Sequence, residues 1–258
     1  MRIRVELRLD RPIALPINHQ HLLAGVIYSF LQRGDEEYAH FLHDEGYLAS
    51  EDERDHRRFK LFVHSPMRSK RRRVAGSVLQ LGPGKAEWLV SSPIDDFLTA
   101  FAVGLMASGE LDLGRVRIPI ALVQTLAAPV MRERMRFTCV SPMVVSVTDR
   151  EEGVGRTRYL VAEDAEFSER VRQNLLAKYA AMSGGKLPAD DRFMMRFDAD
   201  YLAKRRGTKL VEYKGIRVRG MMAPFEAWGS PALMEVGYHA GFGEKNAGGF
   251  GMVEVENG

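Results

Sequence analysis

Around Ala127-Ala128-Pro129 the pattern of this chain starts again. Before that point, residues 2–9 alternate apolar and mostly charged positions, with Ile3, Val5, Leu7 and Leu9 on one side, the mark of a half-buried strand. Pro12 and Pro16 end it. The spacing then predicts a helix over 19–33, capped by Asn18 and stopped by Gly34. A second short helix is predicted over 35–45, stopped by Gly46. Strands at 58–64 and 86–91 flank a basic loop at 66–73 and the Gly82-Pro83-Gly84 turn. Beyond Pro93, the spacing of Phe97, Leu98, Phe101, Ala102 and Leu105 gives a helix, and 115–126 reads as extended. After the break, strands are expected at 133–140 and 143–148, a helix at 164–182, and strands at 192–199, 208–214 and 216–224. A helix at 229–240, a glycine loop and a strand at 250–256 complete the pattern. Two units of α+β character follow, 1–128 and 129–258, alike in pattern and not in letters.

Composition excludes several classes. With 45% hydrophobic and 28% charged residues the chain is globular and not disordered as a whole. No apolar run approaches the ~18–20 residues of a membrane helix, so no membrane partner is expected. The N-terminus alternates charged and apolar residues, unlike a signal peptide. A single cysteine, Cys139, excludes an internal disulfide and zinc sites built on paired cysteines; its neighbours Phe137, Thr138 and Val140 make it a core residue.

The net charge of +3 conceals an uneven distribution. Residues 54–73 carry nine basic side chains against Asp55 alone, a local +8. Residues 192–219 carry nine against three acids, a local +6, which leaves −11 on the remainder. Two basic segments on an acidic body are either solvated loops or the footprint of a polyanion.

The sharpest local feature runs from Gly241 to Gly251, with five glycines in eleven positions and two Gly-Phe-Gly units eight residues apart. It is neither a Walker loop nor a dinucleotide fingerprint, since no Gly-Lys-Ser/Thr follows a strand and the loop leads into a strand near the C-terminus. It presents amides to phosphate or packs tightly against a helix. Seven histidines are available: His19, His21, His40, His43, His56, His64 and His239. On the first helix Leu22, Leu23, Val26, Ile27, Phe30 and Leu31 form the apolar face, while His21, Gly25 and Tyr28 lie opposite. On the second, Tyr38, Phe41 and Leu42 face inward. His40 and His43 lie off that face, and His43 sits in the last turn, where the helix dipole favours an imidazolium able to act as a general acid. No His-Glu-x-x-His or Gly-x-Ser-x-Gly is present.

Three stretches carry a family resemblance. Val236-Gly237-Tyr238-His239-Ala240-Gly241-Phe242-Gly243-Glu244-Lys245-Asn246, continued by Gly249-Phe250-Gly251-Met252-Val253, resembles the signature of CRISPR-associated repeat-processing endoribonucleases of the repeat-associated mysterious protein superfamily. Pro16-Ile17-Asn18-His19-Gln20 with Gly25-Val26-Ile27-Tyr28, and Phe137-Thr138-Cys139-Val140-Ser141-Pro142, are similar to that family in the same order. The resemblance implies two tandem ferredoxin-like, RRM-type domains, and a substrate that is the repeat RNA of a CRISPR precursor transcript. It implies cleavage without metal or cofactor, leaving 5′-hydroxyl and 2′,3′-cyclic phosphate ends, by a cytoplasmic prokaryotic enzyme. Homodimers are common in the family, and the superfamily also holds non-cleaving paralogues that bind repeat RNA within an effector complex. A further alternative is a small-nucleotide phosphoesterase.

Metal-free RNA cleavage needs a base for the 2′-hydroxyl, an acid for the leaving 5′-oxygen and a cation for the phosphorane. Some members of the family use a Tyr, His and Lys constellation, which Tyr28, His43 and Lys60 match by local context. His19, His21 and His40 remain substitutes for His43. The resemblance places the glycine loop at the RNA cleft, with Gly241, Gly243, Lys245, Asn246, Gly249 and Gly251 as its contacts. Arg68, Lys70, Arg71, Arg72 and Arg73 are expected to meet phosphate.

Overall fold

The structure is a computed structural model and describes residues 1–50, 57–151 and 154–256. Arg54, Asp55 and His56 lie outside the described residues.

Eight strands and four helices make two copies of one plan. The first copy comprises β1 (Arg2–Leu9), α1 (Gln20–Gly34), β2 (Val63–His64), β3 (Gly84–Ser91), α2 (Asp95–Ser108) and β4 (Arg117–Leu126). These four strands are antiparallel in the order β4-β1-β3-β2, within a six-stranded sheet that Glu110–Asp112 and Arg68–Ser69 complete. The second comprises β5 (Arg134–Cys139), α3 (Phe167–Met182), β6 (Phe193–Phe197), β7 (Phe225–Gly229), α4 (Pro231–Ala240) and β8 (Val253–Val255), in the order β8-β5-β7-β6. Read within each copy, both are βαββαβ with strand order 4-1-3-2, the ferredoxin-like arrangement. The tandem pair implied by the resemblance is therefore present.

In each copy the helices cover one face of the sheet. Val5, Leu7 and Trp88 meet Leu23, Ile27, Phe97 and Phe101 in the first core; Phe137 and Phe225 meet Val171, Leu175 and Phe242 in the second. The crossing of α1 over α2 is set by two glycines. A Cβ on Gly34 would fall 1.9 Å from the Ala100 carbonyl oxygen, and one on Gly104 would fall 1.8 Å from that of Phe30. Backbone-to-backbone packing at both points fixes the rotation of α1, and hence where Tyr28 faces.

Several expectations change. Asn18 is not the cap of α1; His19 holds that position, without a side-chain cap bond. The strand at 58–64 breaks into Arg58–Phe59, paired with Tyr47–Leu48, and β2. Between them Leu61 has φ +49 and turns into the second core, whereas Phe62 fills the first. The basic loop is in part a hairpin, Arg72–Ala75 with Val78–Leu81, which pairs onward with Ile13–Pro16. The strand expected at 143–148 forms instead over Ser146–Glu151, as a hairpin with Val154–Tyr159. The segment expected as a strand to 224 ends as a separate hairpin, Thr208–Tyr213 with Ile216–Met221, and β7, a central strand, follows it unforeseen.

The domains meet through the open face of the first sheet. Arg2 is 2% exposed and donates from Nη1 to the Val253 carbonyl (2.9 Å) and from Nη2 to that of Tyr238 (2.8 Å), its guanidinium 3.8 Å from the Tyr238 ring centre. Arg68 pairs with Glu254 at 2.8 Å, and Ser91 Oγ meets His239 Nδ1 at 3.2 Å.

Gly104→Ala gains up to about 1 kcal/mol of helix propensity, but the blocked approach to Phe30 costs roughly 1–3 kcal/mol or more. The net expectation is a thermal midpoint several degrees lower by calorimetry; an unchanged midpoint would contradict the packing argument.

Candidate active site

Tyr28, His43 and Lys60 come from three elements and converge. Tyr28 rises from the middle of α1 beside exposed Gly25, where an added Cβ would meet nothing within 4 Å, so the approach is open. His43 follows a short helix, Glu36–His40, whose N-terminus is capped by the Asp35 carboxylate accepting from the Tyr38 amide at 2.9 Å. The last turn, Phe41–Glu45, is widened into a π turn closed by the Gly46 amide on the Phe41 carbonyl, a distortion common at functional sites. Gly46 has φ +69, and a Cβ there would lie 2.8 Å from the Phe59 carbonyl oxygen and 3.2 Å from Lys60 Cδ. Only glycine therefore lets the Lys60 segment close against this turn, and Lys60 Nζ donates to the His43 carbonyl at 2.6 Å. The Tyr28 and His43 rings stand edge to face, 5.4 Å between centres.

Each group has a distinct electrostatic setting. Burial, with Tyr213 close by, pushes the Tyr28 phenol up to about 12. Partial burial lowers the Lys60 ammonium from its ordinary value. His43 Nδ1 lies 2.6 Å from Asp44 Oδ1, and that hydrogen bond holds the Asp44 carboxyl below its usual range. Nε2 is thus the free end of the His43 ring.

The other histidines are differently employed. His19 Nδ1 meets the Pro16 carbonyl at 3.1 Å while its Nε2 accepts from the Met67 amide at 3.0 Å, which assigns a neutral tautomer. His21 Nδ1 meets the Asn18 carbonyl at 3.0 Å, and exposed His40 lies 3.8 Å from Glu36. His64 is fully buried, and burial lowers it to about 4. Cys139 is core, its thiol raised to about 12 by burial.

Lys60 lines a cleft of about 640 Å³ between the domains, with Arg58 beside it and Arg170, Tyr213, Lys245 and Gly248 on the second domain's side. A pocket of similar size, about 670 Å³, at the edge of the first domain between residues 8–14 and 114–119 holds none of the candidate residues. The two basic segments approach each other at the domain junction: the charge of Arg72 acts on Lys209, which also acts on His19.

The glycine loop is largely internal. Gly241, Gly243, Gly249 and Gly251 are buried with positive φ. A Cβ would lie 2.4 Å from Asn246 Nδ2, 2.3 Å from the Val144 oxygen, 2.7 Å from His64 Cε1 and 2.0 Å from the Phe242 oxygen, respectively. Phe242 plugs the second core and Phe250 a smaller cluster with Val144, Val211 and Val218. Asn246, expected among the RNA contacts, is used inside the loop: Nδ2 donates to the Phe242 and Phe250 carbonyls, and Oδ1 accepts from Lys178. Arg68, expected to meet phosphate, is paired across the domains with Glu254. Lys245, Lys70, Arg71, Arg72 and Arg73 are exposed.

Sequence reading missed the residue that holds the loop. Lys178, fully buried on α3, donates from Nζ to the Gly241 carbonyl, the Gly243 carbonyl and Asn246 Oδ1, each at 2.7 Å. All three ammonium hydrogens are used, and burial lowers its pKa to about 7. The available signal was a lysine on the otherwise apolar stripe Val171, Leu175, Lys178.

Tandem ferredoxin-like domains with a basic cleft and a glycine loop at their junction define the repeat-associated superfamily seen in the sequence. Comparison with known proteins narrows this. Residues 14–124 match the family described as CRISPR-associated protein Cas6, N-terminal, and residues 126–255 match CRISPR associated protein Cas6, C-terminal. The chain is 30% identical over 254 residues to the CRISPR-associated endoribonuclease Cas6 1 of Methanocaldococcus jannaschii, covering 98% of this chain and 92% of that protein. It is 29% identical to the CRISPR-associated endoribonuclease Cas6 of Pyrococcus furiosus, covering 96% and 86%. A solved structure titled CRISPR associated protein Cas6 superposes with a TM-score of 0.78 at 28% identity, covering 100% of this chain and 99% of that one. The chain belongs to the Cas6 family. Among the described residues no helix is long and apolar enough to cross a membrane.

The Lys178 ammonium yields a signed prediction. Below about pH 7 the folded and unfolded chains both carry its charge. Between about 7 and its ordinary 10.5 only the unfolded chain keeps the proton, so this group makes stability rise with pH in that window. Denaturant midpoints of wild type and Lys178→Met between pH 6 and 9.5 should diverge in favour of wild type as pH rises; parallel curves would show an unperturbed ammonium.

Proposed function

We propose that this chain cleaves CRISPR precursor transcripts within the repeat to release guide RNAs, without a metal, by attack of the 2′-hydroxyl on the adjacent phosphorus. The observation that carries this reading is the meeting of Tyr28, His43 and Lys60, three groups with complementary proton chemistry, beside a basic interdomain cleft. The units 1–128 and 129–258 act together in it, the first supplying these three groups.

The settings suggest the roles. Asp44 on Nδ1 orients the His43 ring and steadies the imidazolium that forms when Nε2 takes the 2′-hydroxyl proton. This makes His43 the base, where its place in the sequence suggested an acid. The Tyr28 phenol stays protonated at neutral pH and donates to the 5′-oxygen as the P–O5′ bond breaks; an alkoxide is the stronger base, so the transfer runs downhill. Solvent then carries the proton from the imidazolium back to the phenolate. Lys60 stands against the charge of the phosphorane. The products are a 5′-hydroxyl and a 2′,3′-cyclic phosphate. Binding draws on Lys245 and on Lys70, Arg71, Arg72 and Arg73, all exposed on this chain.

Two measurements test this. His43→Ala should cut repeat RNA at least 10²-fold more slowly than wild type under single turnover with EDTA present, and a wild-type rate would sink the assignment. Joint replacement of Lys70, Arg71, Arg72 and Arg73 by alanine should flatten the slope of log affinity against log salt by about 0.7 for each phosphate left unneutralised. An unaltered slope would remove that hairpin from the interface.

A further inference from the structure

Tyr213 ends the strand Thr208–Tyr213 of the second domain and lines the same cleft as Lys60 of the first. Its ring is held on two sides. A Cβ on Gly248 would lie 3.0 Å from its Cζ and 3.1 Å from its hydroxyl, so the ring rests on bare backbone, and Phe250 meets it edge to face at 5.7 Å. The turn that follows, Lys214-Gly215, has φ of +49 and +78, the tight reversal that sets Tyr213 opposite Ile216. A ring so constrained has a hydroxyl whose place is decided in advance.

That hydroxyl has no hydrogen-bond partner among the described residues, and neither has that of Tyr28. Partial burial raises both phenols above their ordinary value, and Tyr213 lies close enough to act electrostatically on Tyr28. At neutral pH both are donors. With the Lys60 ammonium they form a group of hydrogen-bond donors, a setting complementary to phosphate oxygens; Glu244, the carboxylate lining the same cleft, is taken by the Ser146 amide and hydroxyl.

We infer that Tyr213 is a substrate-contacting residue of the active centre, donating its hydroxyl hydrogen to a non-bridging oxygen of the phosphate on which His43 and Tyr28 act. The centre is then built from both domains. The inference rests on the RNA-cleavage reading above.

Tyr213→Phe removes the hydroxyl and keeps the ring on Gly248 and against Phe250, so folding is preserved. Single-turnover cleavage of repeat RNA should slow about 10²-fold, the usual effect of losing one such donor, while affinity changes less than about threefold. Substituting sulfur for one non-bridging oxygen of the scissile phosphate weakens the acceptor. One of the two diastereomers should slow wild type and leave Tyr213→Phe no slower than with the oxygen substrate. A wild-type rate for Tyr213→Phe, a loss confined to affinity, or equal sulfur effects in both proteins would each overturn the inference. If wild type cleaves and His43→Ala does not, such a result removes Tyr213 alone. A wild-type chain that leaves repeat RNA intact removes the cleavage reading and this inference together.

Discussion

The guanidinium of Arg2 fixes how the two domains stand to each other. Withdrawing a charged group from water costs several kcal/mol unless its hydrogens are met. Here two carbonyls of the second domain accept from Nη1 and Nη2 and the face of Tyr238 lies against the group, while Nε has no partner among the described residues. A guanidinium delivers two hydrogen bonds in one plane, so it sets an angle as well as a contact. Everything attributed to the cleft depends on that angle, since Lys60 comes from one domain and Tyr213 and Lys245 from the other.

A second buried basic side chain organises the far wall. Lys178 draws together two carbonyls and the side chain of Asn246, and the glycines around them leave no space for side chains. The loop is therefore a rigid internal part that shows the cleft one exposed cation, Lys245, in a left-handed conformation with φ +59. Such a loop places a charge accurately and contributes little to recognition with its interior.

Much of this was legible in the chain. Period-two alternation found β1, and apolar spacing found α1, α2 and α3, because each buries one face against its own domain. The contexts of Tyr28, His43 and Lys60 pointed to residues that the fold does bring together. What stayed hidden depends on tertiary partners. β7 escaped because Gly229 and the hairpin before it blur its short alternation. The break at Leu61 is a choice between two cores, which no local pattern records. Asn246 and Arg68 looked available because their partners, Lys178 and Glu254, lie 68 and 186 residues away.

Leu61 and Phe62 carry one more implication. Adjacent residues anchored in different domains rivet the segment that carries Lys60 to both, and the positive φ of Leu61 is the strained joint between them. Opening the cleft like a jaw would draw one of these side chains out of its core into water, at about 1.5–3 kcal/mol for the side chain alone. A joint riveted in this way disfavours movement between the domains. In the proposed cleavage, the bending toward in-line geometry would then fall on the RNA.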